Sequence, residues 1–105
     1  DEALSLIKQA IELAPDNPAI IDSLGWAYYR LGDLDQAVKL LQQAFKAFPD
    51  HEVAAHLGEV LWKLERNSEA KSIWQKGLDQ KPDSTVIKET LKRFNLNTNL
   101  KSIPE

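Results

Sequence analysis

The chain has no cysteine and no methionine, and only four glycines and five prolines among its 105 residues. Without cysteine there is no disulfide framework, no thiolate metal site and no cysteine nucleophile. The compartment stays open, because secreted and cytosolic helical proteins both dispense with cysteine. Scarce glycine and proline exclude collagen-like and low-complexity chains. No run approaches the roughly 18 apolar residues of a membrane-spanning helix, and no signal-peptide pattern opens the chain. Excess positive charge is missing too: the net charge is −3 and the pI about 5.4, so nothing draws the chain as a whole to a nucleic-acid backbone. Acidic and basic residues alternate without a block of one sign. With no methionine and a start at Asp1 inside a helical pattern, the sequence reads as a fragment or processed product of a longer protein, so a missing targeting signal carries no information.

What is present is a repeat. Leu24-Gly25 with Tyr28 returns as Leu57-Gly58 with Leu61, and Ala37, Leu41, Ala44 and Pro49 return as Ala70, Trp74, Gly77 and Pro82, each displaced by 33 residues. The second half also occurs once earlier, as Ala3, Ile7, Ala10 and Pro15, displaced by 34 residues from its copy. The turns echo as well, in Pro15-Asp16, Pro49-Asp50 and Pro82-Asp83.

Glycine at 25 and 58 costs about 1 kcal/mol of helix propensity at each position relative to alanine. That is sensible only where a neighbouring backbone comes close. Ala37 and Ala70 supply the facing small contact. Each Pro-Asp pair ends one helix and prepares the cap of the next. Apolar periodicity predicts six helices, at about 2–14, 18–31, 34–47, 52–64, 68–80 and 84–94. Leu4, Ile7 and Ile11 form the stripe of the first, Leu34, Val38, Leu41 and Phe45 that of the third, and Val86, Ile87, Leu91 and Phe94 that of the last. Asn17 before Pro18, Asp33 with Gln36, Asp50, Asn67, and Asp83 or Ser84 are the expected caps.

These residues resemble the tetratricopeptide repeat (TPR) family, whose signature sets Leu-Gly, an aromatic, Ala, a large apolar residue, Ala and Pro over about 34 residues. The resemblance covers residues 1 to about 94. Departures are Ala54 in place of a large residue, Leu61 in place of the aromatic, Gly77 in place of alanine, and a link one residue short after Pro49. The resemblance implies an all-α fold, a right-handed superhelical stack of antiparallel helix pairs. Its parts are a half repeat at 1–17, repeats at 18–50 and 51–84, and a capping helix at 84–94, with 95–105 as a flexible tail. Lys88, Lys92 and Arg93 suit the wet side of that cap. The first helix, lacking an upstream partner, is expected to invite self-association. The runs around Leu24-Gly25-Trp26 and Leu57-Gly58-Glu59 are similar to the C-terminal repeats of bacterial TPR proteins. Some of those are envelope lipoproteins acting as adaptors, so the resemblance leans toward a bacterial envelope origin.

Chemistry finds no foothold. His51 and His56 stand five residues apart, about 140° around a helix, whereas a zinc-protease pair stands four apart at about 40°. No nucleophile elbow, phosphate loop or Ca²⁺ loop occurs. Asp33 and Asp35 are explained by capping and the helix dipole. The expectation is a protein without catalysis, metal or cofactor.

In the fold this chain resembles, the first helices of successive repeats line a concave groove that binds another protein or peptide. If Ile21, Leu24, Gly25 and Tyr28 face the partner helix, and Ile20, Ala27 and Leu31 the adjoining repeats, then Asp22, Trp26, Tyr29 and Arg30 remain on the open side. The same elimination on the fourth helix leaves Ala55, His56, Glu59, Trp62 and Lys63. Trp74 and Tyr28 are assigned to the core. Wet aromatics beside arginine are typical of interface hot spots. The plainer alternative is that Tyr29 and Trp62 pack on each other or on the stems of Arg30 and Lys63. Asp22 and Glu59 would repel the C-terminal carboxylate that many family members clamp. They favour a peptide with apolar side chains and a basic residue. Two rivals are a structural spacer, with binding in upstream repeats, and an RNA-binding helical repeat, which the acidic balance disfavours.

Overall fold

Four helices of the chain start where a side chain satisfies a free amide of the first turn. In the computed structural model, which describes residues 2–13 and 16–96 without the side chains of Ala3 and Ile11, the helices are α1 (Glu2–Leu13), α2 (Pro18–Arg30), α3 (Leu34–Ala47), α4 (His51–Lys63), α5 (Asn67–Gln80) and α6 (Thr85–Arg93). No strand occurs among the described residues. Asn17 accepts from the Ala19 amide at 3.0 Å with Pro18 in the first helical position, and Asp33 accepts from Gln36 at 3.2 Å. Asp50 accepts from Glu52 at 2.9 Å and Ser84 from Ile87 at 3.3 Å. Asn67 does not cap α5 as expected. It is already the first helical residue, and Arg66 stands at the cap with no side-chain bond to the helix. Residues 97–105, read above as a tail, lie outside the described part.

The helices form two units, residues 1–48 with α1 to α3 and residues 49–105 with α4 to α6. In the first, α2 pairs with α3 and also packs on α1; in the second, α4 pairs with α5 and α6 rests on α4 and α5. Both hairpins turn in the same way. Gly32 at φ +87° lets the Asp33 amide reach the Tyr28 carbonyl at 2.9 Å, and Glu65 at φ 62° lets Arg66 reach Leu61 at 2.9 Å. This satisfies helix-terminal carbonyls through one left-handed residue. Glycine accepts that conformation freely and glutamate does not. Asn95, at φ 60°, ends α6 in the same manner, with the Leu96 amide on the Leu91 carbonyl.

Packing explains the glycines at the crossings. A Cβ on Gly25 would come within 2.8 Å of the Leu41 side chain, and one on Gly58 would overlap the Trp74 indole outright. Trp74 has no exposed surface, and its ring N–H points to the Ala55 carbonyl at 3.4 Å. Leu41, Ala37 and Ala44 are fully buried in the first unit. Leu57, Val60, Leu61 and Ala70 are buried in the second. Tyr28, assigned to the core from sequence, is only half-buried, with Lys8 Nζ 5.8 Å from its ring centre.

Gly58→Ala is expected to destabilise by about 2–3 kcal/mol in urea unfolding, because the rigid indole has no room to give. Gly25→Ala is expected to cost about 1 kcal/mol, since Leu41 has rotamers to yield and the helix gains propensity. At the turn the sign reverses: Glu65→Gly should stabilise by about 0.5–1 kcal/mol by relieving the left-handed backbone.

Candidate functional site

On α2, Trp26 and Tyr29 are both half-buried and their rings touch, with centroids 4.7 Å apart at 35°. Asp22 is half-buried one turn earlier and Arg30 is exposed in the last turn. The four share the face left by Ile21, Leu24 and Gly25, which are buried. A tilted aromatic pair flanked by an acid and a guanidinium offers broad apolar contact with polar edges, a combination suited to a polypeptide ligand.

The matching stripe of α4 differs. Glu59, expected on the open side, is only 4% exposed. Both its carboxylate oxygens accept from the Arg93 guanidinium of α6, Nη2 at 2.6 Å and Nη1 at 3.4 Å. Ala55 is buried too, against the elimination that left it open, because the Trp74 indole lies over that turn of α4. Trp62 is half-buried in an aromatic cluster, its ring 5.8 Å from Trp74 and 6.3 Å from Phe94. Lys63 is exposed, its Nζ 5.4 Å from the Phe94 ring centre, while Arg93 approaches the same ring at 5.7 Å. His56 is half-buried. The α4 stripe is therefore spent largely on holding α6.

Arg93 and Phe94 are the residues whose partners sequence reasoning did not find. Arg93 seemed to belong to the wet side of the cap. Its partner Glu59 is 34 residues away, and the repeat register aligns Glu59 with Lys92, so no local signal pointed to it.

The histidines also part company. His51 is the first residue of α4, and its Nδ1 lies 2.8 Å from the buried Ser84 hydroxyl, which in turn caps α6. His51 thus ties the start of α6 to the start of α4. No group of three or more His, Asp or Glu among the described residues is arranged to hold a metal ion, and no described helix is long and apolar enough to cross a membrane.

The sequence model of the tetratricopeptide repeat family matches residues 1–57 and again 32–93. The chain belongs to the TPR family. A TPR repeat-containing protein of Pseudomonas aeruginosa is 59% identical over 58 residues, covering 55% of this chain and 10% of that protein. Small glutamine-rich tetratricopeptide repeat-containing protein 2 of Mycosarcoma maydis is 32% identical over 90 residues, 85% of this chain and 26% of that one. The chain thus spans only a small part of these relatives. Among solved structures, one of MamA (MSR-1 C2) superposes with a TM-score of 0.67 at 26% identity, covering 96% of this chain and 60% of that one. A MamA mutant gives 0.66 at 25% identity. Fold and family agree: an all-α TPR protein of helical repeats, with a bacterial relative.

The Glu59–Arg93 pair yields an asymmetric expectation. Arg93→Ala strips a buried carboxylate of its guanidinium and should cost about 2 kcal/mol. Glu59→Gln leaves Arg93, whose side chain is 57% exposed, in contact with water and should cost under about 1 kcal/mol. Urea unfolding of the two single variants and the double variant measures both costs and their coupling.

Proposed function

We propose that this chain is a protein-interaction module, without catalysis of its own, and that the α2 stripe of Asp22, Trp26, Tyr29 and Arg30 is its principal contact surface. TPR repeats are in general non-enzymatic scaffolds that bind proteins or peptides, and the family membership supports the same class here. One observation carries the choice of surface. In the first unit the aromatic pair stays half-exposed beside Arg30, whereas at the corresponding positions of the second unit Glu59 and Trp62 are engaged with α6. Trp and Tyr present large, stiff, amphipathic surfaces at little entropic cost on binding, which is why such residues dominate interface energetics. His56, Trp62 and Lys63 retain partial or full exposure on α4 and are assigned a secondary role at most.

The ligand that fits is a peptide segment with apolar side chains for the Trp26–Tyr29 pair and a basic residue for Asp22. Glu59 does not repel an anionic C-terminus, because the Arg93 guanidinium compensates its carboxylate.

A fluorescence-polarisation panel of apolar-basic, apolar-acidic and C-terminal-carboxylate peptides tests the reading. Binding of the apolar-basic class should weaken by about 1–3 kcal/mol, roughly 5- to 150-fold, on Trp26→Ala and on Tyr29→Ala. Affinities indifferent to both substitutions would discard the α2 stripe. If no peptide class binds, the chain is better read as a spacer within a longer array.

A further inference from the structure

Spacing along α4 predicts one charge pair, and the structure forms another. Glu59 stands one turn before Lys63, the i, i+4 order in which glutamate and lysine attract each other on a helix. Both oxygens of Glu59 go instead to the Arg93 guanidinium of α6, at 2.6 and 3.4 Å. Lys63 stays exposed, with its Nζ 5.4 Å from the Phe94 ring centre. Phe94 and Trp62 are both half-buried, their ring centres 6.3 Å apart. The last turn of α6 thus cancels the Glu59 carboxylate and sets a second ring beside Trp62. What remains for a ligand is a cation next to two aromatic edges. On α2 the balance differs, because the Trp26–Tyr29 pair there has both Asp22 and Arg30 beside it.

Neighbouring charges do not reverse the sign. Glu65 belongs to the cavity at the start of α5, with Arg66 and Glu69. Glu89 is exposed one turn before Arg93, and Lys92 is exposed next to Arg93. Carbonyls at the ends of α4 and α6 would favour a cation. Those of Leu61 and Leu91, however, already accept the amides of Arg66 and Leu96.

We propose that the Trp62–Lys63–Phe94 surface binds a segment of a separate protein in which an acidic side chain neighbours an apolar one. The ligand carboxylate meets Lys63, and the apolar side chain covers the open edges of the two rings. Arg93 is a positioning residue here: it holds the Glu59 carboxylate, which would otherwise claim Lys63 and repel the ligand. The site lies within the second unit and does not rest on the α2 stripe, whose ligand carries the opposite charge.

Two hexapeptides with blocked ends test this, one alternating leucine with glutamate and the other leucine with lysine. Each is titrated into the ¹⁵N-labelled chain. The indole signals of Trp62 and Trp26 report the two surfaces separately, so either can fail without the other. The glutamate peptide should move the Trp62 indole and saturate with a Kd of roughly 10⁻⁴–10⁻³ M. It should bind there at least about fivefold more tightly than the lysine peptide. Lys63→Ala, at an exposed position, should weaken it about three- to fivefold. Arg93→Gln should weaken it at least as much, and adding Glu59→Gln should restore it, which a merely structural role for Arg93 does not require. A Trp62 signal unmoved up to about 5 mM peptide overturns the proposal. Equal binding of the lysine peptide there, or indifference to Lys63→Ala, overturns it as well. So does a Trp62 signal that shifts with the concentration of the chain alone, which gives the surface to a second copy.

Discussion

Everything in this fold depends on letting two helices cross at a glycine while a large side chain fills the crossing. Gly58 under the Trp74 indole is the sharpest case, because no Cβ fits there. Exchanging a small helix-propensity penalty for the full burial of a tryptophan is favourable by magnitude: about 1 kcal/mol of propensity stands against roughly 3 kcal/mol or more for a buried aromatic. Gly25 and Leu41 repeat the arrangement with a smaller, more compliant side chain. Once these crossings are fixed, the turn geometry follows, and the same left-handed residue closes both hairpins, at Gly32 and Glu65.

The second unit shows how departures from a repeat pattern compensate one another. Ala54 and Gly77 are both smaller than the pattern expects. They stand together, and the space they leave is taken by Ile87, whose Cδ1 would meet a Cβ on Gly77 at 2.5 Å. Ile87 is fully buried as a result. Polar links then secure α6 at both ends: His51 to Ser84 at its start and Glu59 to Arg93 at its finish. Such links add little net stability, because pairing first has to offset the cost of taking the Glu59 carboxylate and the Ser84 hydroxyl out of water. Glu59 and Trp62 are thereby committed to the helix that covers them.

Equivalent positions in a repeat need not share a role. Tyr29 and Trp62 align, but Tyr29 pairs with Trp26 of its own helix while Trp62 joins Trp74 and Phe94. The difference arises because a long aromatic in α5, in place of Leu41, reaches across to Trp62, and Phe94 from α6 completes the cluster. Exposed and packed positions are thus separated by what lies next to a residue, and alignment alone does not supply that.

How far the sequence reaches can be judged from particular residues. Gly25, Gly58, Ala37, Trp74 and the Pro49-Asp50 turn were legible, because helix periodicity and close crossings are local or strictly periodic demands that one strand of text records. All six helix starts lay within one residue of prediction for the same reason, while Asn67 misled as a cap because Arg66 took that position. The open side of α4 was not legible. Elimination on a helical wheel assigns faces, and it placed Glu59 and Ala55 in solvent because nothing nearby in sequence announced Arg93 or the sweep of the Trp74 ring. The sequence by itself determined helices, pairing and family, all consequences of spacing. Which polar and aromatic groups remain available to a partner was decided only in three dimensions, where residues 34 apart meet and a buried carboxylate must find its countercharge.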